Sequence, residues 1–221
     1  MTKSVRNSFY KFILLLMLSF AVSCSPQKQD DCGFVQNVYG QRISWKTKKT
    51  IKLMIHNSVP VELRPAIYRA AATWEVQTGR KVFEISEDSS IVPAAPSRDQ
   101  KNAIYFLKDW ESDRSSEQGR TSVYWAGDEI QEADIRINAA DFSYYDKNPS
   151  ALIGSFSNLN KEAQPVTTGY SFEALILHEL GHFLGLKHRE ETGTVMATHL
   201  AAFANRTKLA ASDQNAVSCE Y

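Results

Sequence analysis

Residues 178–188 constrain the fold more than any other part of the chain, because their spacing requires a helix that ends abruptly. The segment reads HELGHFLGLKH and holds three of the chain's five histidines. Positions four apart lie on one face of a helix, so the imidazoles of His178 and His182 point to the same side. Gly185 can adopt the left-handed conformation that ends a helix, which brings His188 back towards them. The segment therefore predicts a helix, a sharp turn and three converging histidines.

Three converging histidines indicate a metal site of the catalytic kind. Three neutral imidazoles leave one tetrahedral position for water, whereas structural zinc sites fill all four positions. Zinc lowers the pKa of such a water to about 7, and Glu179 can take its proton and pass it to a departing amine. The alternative is a set of core histidines beside a satisfied glutamate, but burying Glu179 among apolar neighbours would be costly. We therefore expect one catalytic zinc on His178, His182 and His188, with Glu179 as the general base of peptide-bond hydrolysis.

The first 23 residues are typical of an export signal. Three basic residues and no acidic ones precede an apolar stretch at 12–22, which ends in small residues. A helix of that length covers about 17 Å and cannot span a hydrocarbon core of about 30 Å, so a retained transmembrane anchor is the weaker alternative. Removing the signal takes three of 25 basic residues and leaves 22 against 25 acidic ones. This balance gives no indication of a nucleic-acid partner.

Residues 21–24, with the sequence AVSC, resemble the lipobox of bacterial lipoproteins. The resemblance implies that Cys24 is lipidated and becomes the first residue of the mature protein. Ala21 replaces the usual leucine, so ordinary signal-peptidase cleavage before Cys24 is the alternative. Lipidation would leave Cys32 and Cys219 as a natural pair, which an oxidising compartment would let form a disulfide. We expect an exported protein at the outer membrane or cell surface, otherwise in the periplasm or secreted.

The remaining pattern predicts an α+β domain at residues 46–221, preceded by a tether or arm at 24–45. Alternating apolar residues, and clusters of β-branched and aromatic ones, indicate strands, whereas a period of 3.6 indicates helices. The expected strands are 51–55, 82–85, 103–107, 121–126 and 133–137, and the last two should pair antiparallel. The expected helices are 63 to just before Gly79, and 172–184 after the N-cap Ser171. Residues 139–170 show no sustained period and are expected to form a long loop.

A methionine downstream of the histidine motif adds a second signature. Met196 lies eight residues past His188, within the sequence TVMA. With this spacing, the chain resembles the metzincin clan of zinc endopeptidases, and most of all a bacterial relative of the matrixins, which carry such a methionine in a tight turn beneath the metal. The resemblance implies a mixed twisted sheet of about five strands, a long backing helix, an active-site helix, this Met-turn and a C-terminal helix at about 212–219.

The resemblance also implies how a substrate binds. The strand near 121–125 would be the antiparallel edge strand of the cleft, where an extended protein or peptide substrate adds as a further strand. Tyr124 or Trp125 would then contact the substrate, although either ring could equally serve sheet packing. We expect a monomer. The alternative function is a non-catalytic, zinc-containing surface lipoprotein that uses the same scaffold to bind a partner.

The chain departs from the matrixin pattern in three places. Residues 108–120 contain acidic side chains but no histidine, so we expect no second zinc, and a structural calcium is left open without support. Residues 197–200 differ from the usual wall of the specificity pocket, so no subsite preference carries over. Cys32 lies in a sequence similar to the cysteine switch of matrixin propeptides, but the rest of that motif is absent. We therefore rank a disulfide with Cys219 first and a switch second.

Overall fold

A computed structural model describes residues 27–221 apart from 48, 89, 91 and 156–167. The predicted signal at 1–23 and Cys24 lie outside the described residues. The strands are β1 (Ile51–Ile55), β2 (Phe83–Ser86), β3 (Ala103–Leu107), β4 (Gly119–Ala126), β5 (Glu129–Asn138), β6 (Ser143–Tyr145), β7 (Ile153–Gly154) and β8 (Tyr170–Ser171). The helices are α1 (Arg64–Thr78), α2 (Phe172–Phe183) and α3 (Ala211–Val217), with a short 3₁₀ turn at Ser112–Arg114.

The main sheet has five strands in the order β2-β1-β3-β5-β4. All neighbouring strands run parallel except β4, which pairs antiparallel with β5. Gly127 joins these two strands with a φ of 64°, a left-handed conformation that suits glycine in a tight hairpin turn. The predicted α+β class and the predicted antiparallel pair are confirmed, and β4 lies at an edge of the sheet.

Helices α1 and α2 pack on the sheet, and a hydrogen bond from a tryptophan links them. The Nε1 atom of Trp74, on α1, donates a hydrogen bond of 2.9 Å to the carbonyl of Leu177 on α2. Helix α1 ends at Gly79, which adopts the left-handed conformation expected of a C-cap glycine. Helix α2 begins after Ser171, whose side chain accepts a hydrogen bond from the amide of Ala174. Nearly all residues of α2 are buried, which agrees with apolar side chains on every face of this helix rather than on one face.

The prediction that residues 139–170 form a long loop is wrong in part. Strands β6, β7 and β8 form a second sheet with β6 in the centre. These strands are two or three residues long, so they show no alternation that a sequence pattern could reveal. The pairing depends on tertiary packing instead: the buried ring of Tyr144 meets the rings of Phe106 and Phe172 edge-on.

The predicted arm contributes to the core of the domain. Phe34 and Ile43 are each 1% exposed, although both precede the expected domain start at residue 46. The arm forms an antiparallel bridge between Phe34 and Leu186, two residues before His188. The folded unit therefore includes residues 34–45.

A covalent link and a charged cluster tie the arm to the last residues of the chain. A disulfide joins Cys32 to Cys219, with Cα atoms 6.4 Å apart. The carboxylate of Glu220 pairs with Arg42 at 2.7 Å and with Lys46 at 2.5 Å. In the part of the chain that the structure describes, no helix is long and apolar enough to cross a membrane.

Candidate active site

The three histidines of the motif converge as their spacing predicts. The Nε2 atom of His182 lies 3.1 Å from that of His178 and 3.0 Å from that of His188, and the last two are 3.2 Å apart. Atoms at this spacing can each lie about 2 Å from one ion, which is the usual Zn–N distance. Among the described residues, this is the group of histidine, cysteine or acidic side chains whose geometry could hold a metal ion.

The other ring nitrogens of the two helical histidines are held by main-chain carbonyls. The Nδ1 atom of His178 bonds to the carbonyl of Val195 at 2.7 Å, and that of His182 to the carbonyl of Leu186 at 2.8 Å. These bonds place the proton on Nδ1 and leave a lone pair on each Nε2. Burial lowers the pKa of His178 well below its usual value and that of His182 to about 4. Both imidazoles are therefore neutral at pH 7 and fit a zinc ligand set.

Gly185 ends the helix and also makes room for the arm. Its φ is 102°, and a Cβ at this position would collide with the carbonyl oxygen of Ile43. The carbonyl of Gly185 accepts a hydrogen bond from the amide of Val35, and the amide of Lys187 donates to the carbonyl of Gly33, both at 2.9 Å. The arm thus pairs with the segment that leads to His188.

Met196 lies directly beneath the helix that carries the first two histidines. It is 1% exposed, and its sulfur packs so closely on Gly181 that no Cβ would fit there. The fully buried carboxylate of Asp213, on α3, accepts hydrogen bonds from the amides of Val195 at 2.8 Å and Met196 at 3.4 Å. Asp213 of α3 therefore fixes the turn whose Val195 carbonyl bonds to His178.

Glu179 is buried at the side of the histidine cluster and contacts the edge strand. It is 3% exposed, and its Oε2 atom accepts a hydrogen bond of 2.7 Å from the hydroxyl of Thr121. Burial raises the pKa of Glu179 to about 7, while the hydrogen bond from Thr121 acts in the opposite direction. A nearby zinc ion would also favour the ionised form. The group can therefore both accept and release a proton near neutral pH.

This geometry agrees with a comparison against known protein families. The matrixin family model matches residues 34–221, which is most of the chain. The chain belongs to the matrixin family. As a matrixin it is a zinc metalloendopeptidase, and its three histidines are consistent with the catalytic zinc of this family. A comparison with curated proteins found no match to the sequence.

The active site of this matrixin opens into a cleft of about 620 Å³. One wall is β4, whose alternate residues Gly119, Thr121, Val123 and Trp125 line the cleft together with Arg120. Trp125 is 46% exposed at this wall, whereas the ring of Tyr124 lies under the guanidinium of Arg98, 5.3 Å from the ring centre. The structure thus brings Trp125, and not Tyr124, to the cleft.

The cleft is also lined by the segment after the Met-turn, which the resemblance to matrixins places there, and by the arm, whose contribution the sequence did not reveal. Residues 197–200 and Arg206 line the wall after the Met-turn, and Arg206 donates to the carbonyls of Thr194 and His199. Val35 and Ile43 of the arm line the cleft as well. The arm takes part in three isolated β-bridges, Phe34 with Leu186, Gln36 with Arg42 and Ser44 with Glu129, which leave no periodic signal, so the sequence pattern predicts only a tether or arm there.

Two contacts to the active site were also missed, those of Thr121 and Asp213. Thr121 lies within a predicted strand, and a period of two groups it with Gly119 and Val123. That pattern could have identified a shared face, but not which face meets Glu179. Asp213 shows no signal at all, because an acidic residue in the first turn of a helix is common on exposed surfaces.

Proposed function

We propose that this matrixin is an exported bacterial lipoprotein that cleaves extended segments of protein substrates outside the cytoplasm, with Glu179 as its general base. The observation that supports the catalytic assignment is the placement of Glu179. Its buried carboxylate lines the cleft, one residue from His178 and beside the edge strand. A buried carboxylate that reaches a substrate cleft next to a metal site has the position that proton transfer requires.

Different residues of the cleft have different roles in the proposed reaction. His178, His182 and His188 would hold the zinc ion, which when bound would act as a Lewis acid on the substrate carbonyl and would lower the pKa of water. Glu179 accepts the proton of the attacking water at its carboxylate and then delivers it to the nitrogen of the departing amine. The backbone of β4 orients the substrate, because an edge strand offers free N–H and C=O groups to an extended peptide. Trp125 contacts one end of the bound segment.

The proposed location depends on the N-terminal segment. Residues 1–23 have the composition of an export signal, and Cys24 stands where a lipoprotein carries its acyl chains. A disulfide between Cys32 and Cys219 is compatible with an oxidising compartment outside the cytoplasm, where matrixins act. A Cys24→Ala variant should lose incorporation of a labelled fatty acid and move from the membrane fraction to the soluble fraction. Unchanged partition would contradict lipidation.

The catalytic assignment is tested by substituting the glutamate. We expect Glu179→Gln to retain stoichiometric zinc and to lose peptidase activity by about 10²-fold or more, because no carboxylate is left to move the proton. Glu62→Gln, on the exposed surface before α1, is the matched control and should keep full activity. Digestion of a peptide library with and without chelator, read by mass spectrometry, measures cleavage and subsite preference together. Full turnover in Glu179→Gln would refute the role of this residue.

A further inference from the structure

We infer that Thr121 and Gly119 of the edge strand form a seat for the carboxylate of Glu179, and that Thr121 is the positioning residue for this base. The inference rests on the function proposed above, because it concerns how the proposed base is held. It assigns to β4 a second task beside the binding of substrate.

Strand alternation places both residues of the seat against the same side chain. Residues 119 and 121 share one face of β4, and this face lines the cleft. The Thr121 hydroxyl lies 2.7 Å from Oε2 of Glu179 and 3.1 Å from its main-chain carbonyl oxygen. A hydroxyl in contact with both the main chain and the carboxylate of one residue restricts the rotation of the side chain between them.

Gly119 acts by leaving space at the other carboxylate oxygen. A Cβ at this position would lie 2.8 Å from Oε1 of Glu179 and 3.3 Å from the carbonyl oxygen of Arg136. Gly119 has no left-handed backbone conformation, so its backbone does not require glycine. The close approach of Glu179 is therefore the reason that a side chain would not fit.

The contacts with Thr121 and Gly119 give the two oxygens of the Glu179 carboxylate different surroundings. Oε2 is engaged by Thr121, whereas Oε1 has no hydrogen bond to any residue that the structure describes. Oε1 is thus the oxygen available to a proton of the reacting water. Misplacement of a reacting group by about 1 Å can cost about 10²-fold in rate, so fixing this orientation matters for turnover.

The matched pair Thr121→Val and Thr121→Ser tests the hydroxyl directly. Valine keeps the shape and removes the donor, and we expect kcat to fall by about 10-fold or more, with KM and zinc content little changed, because the donor bonds a charged group. Serine restores the hydroxyl and should keep kcat within about threefold of the wild type. Ser122→Ala, on the opposite face of β4, is the control and should leave kcat unchanged.

A merely structural role predicts a different result. If Thr121 only fastens β4 to α2, the valine variant should lower the melting temperature and leave kcat of the folded enzyme unchanged. Unchanged kcat in Thr121→Val, or equal losses in the valine and serine variants, would overturn the inference. Gly119→Ala provides a second measurement that does not depend on Thr121. We expect it to bind zinc and to lose kcat, because its Cβ displaces Oε1, and unchanged kcat there would also count against the seat.

A double variant separates this inference from the function on which it rests. In the Glu179→Gln background, Thr121→Val should cause no further loss, because its effect acts through the carboxylate. An active Glu179→Gln enzyme would refute the proposed function itself. An inactive Glu179→Gln enzyme together with a fully active Thr121→Val enzyme would refute the seat alone.

Discussion

The histidines and the glutamate of the active site are neighbours in sequence, yet different parts of the fold hold them in place. His178 and His182 are oriented by carbonyls of residues that follow them, Val195 and Leu186. Glu179 is oriented by Thr121, a residue 58 positions earlier on the edge strand. The carbonyls that orient His178 and His182 therefore follow them along the chain, whereas the base depends on how the edge strand is aligned with the helix.

This difference separates metal binding from catalysis as measurable properties. A change behind the histidines should weaken both zinc binding and turnover, because the ligands lose their orientation. A change in the edge strand should leave the zinc in place and reduce turnover alone.

The largest expected effect comes from breaking the metal site itself. We expect His182→Ala to lose zinc and to lower activity by about 10³-fold or more, because two imidazoles are not enough to hold a catalytic zinc. Treatment of the wild-type enzyme with a chelator should have the same effect, and added zinc should restore the activity of the wild type only. Zinc content by atomic emission and peptide cleavage measure the two outcomes. An active, zinc-free variant would contradict the assignment.

The next effect tests the support behind the histidines. Asp213→Ala leaves the buried amides of Val195 and Met196 without an acceptor, so the free energy of unfolding should fall by about 4 kcal/mol. Zinc affinity should fall by about 10-fold or more, because the Val195 carbonyl that orients His178 is released. Urea denaturation and zinc titration are the measurements. Unchanged zinc affinity would show that the turn keeps its position without α3.

The disulfide tests whether the arm supports His188. Replacing Cys32 and Cys219 with serine should lower the free energy of unfolding by about 3 kcal/mol. Zinc affinity should fall to a smaller extent, since the hydrogen bonds from Val35 and Lys187 that pair the arm with the ligand loop are kept. Reductant should destabilise the wild type and leave the double-serine variant unaffected. Equal sensitivity of both proteins to reductant would argue against the bond.

The smallest effect on activity is expected from a second buried carboxylate, which contacts no metal ligand. Burial raises the pKa of Asp134, on β5, to about 7 from an ordinary 3.8. The folded protein thus keeps a proton there that the unfolded chain releases, so the free energy of unfolding should fall as the pH rises from about 4 to about 7. Asp134→Asn should flatten this dependence in that window, as chemical denaturation at several pH values would show. A parallel pH profile in the variant would contradict the shifted pKa.

The parts of the fold that could be predicted are those whose signals are local. The cap at Ser171, the end of α1 at Gly79 and the spacing of the histidines all lie within a few residues of the structure that they specify. The contact between Thr121 and Glu179 could not be predicted, because it requires the register of β4 against β5 and α2. A slip of one residue would turn Thr121 away from the cleft. The sequence predicts the disulfide between the arm and Cys219, but not the pairing of the arm with the segment before His188, since these partners lie far apart along the chain.

The link between Cys32 and Cys219 bears on when the enzyme becomes active. These cysteines are 187 positions apart, so the bond that fixes the arm can form only after Cys219 has been synthesised. A nascent chain of the exported protein proposed above would have the first two histidines on one helix before the third was held beside them. Assembly of the cleft would then be a late event, because Val35 and Ile43 line it and reach their places only when the arm pairs with the segment that leads to His188.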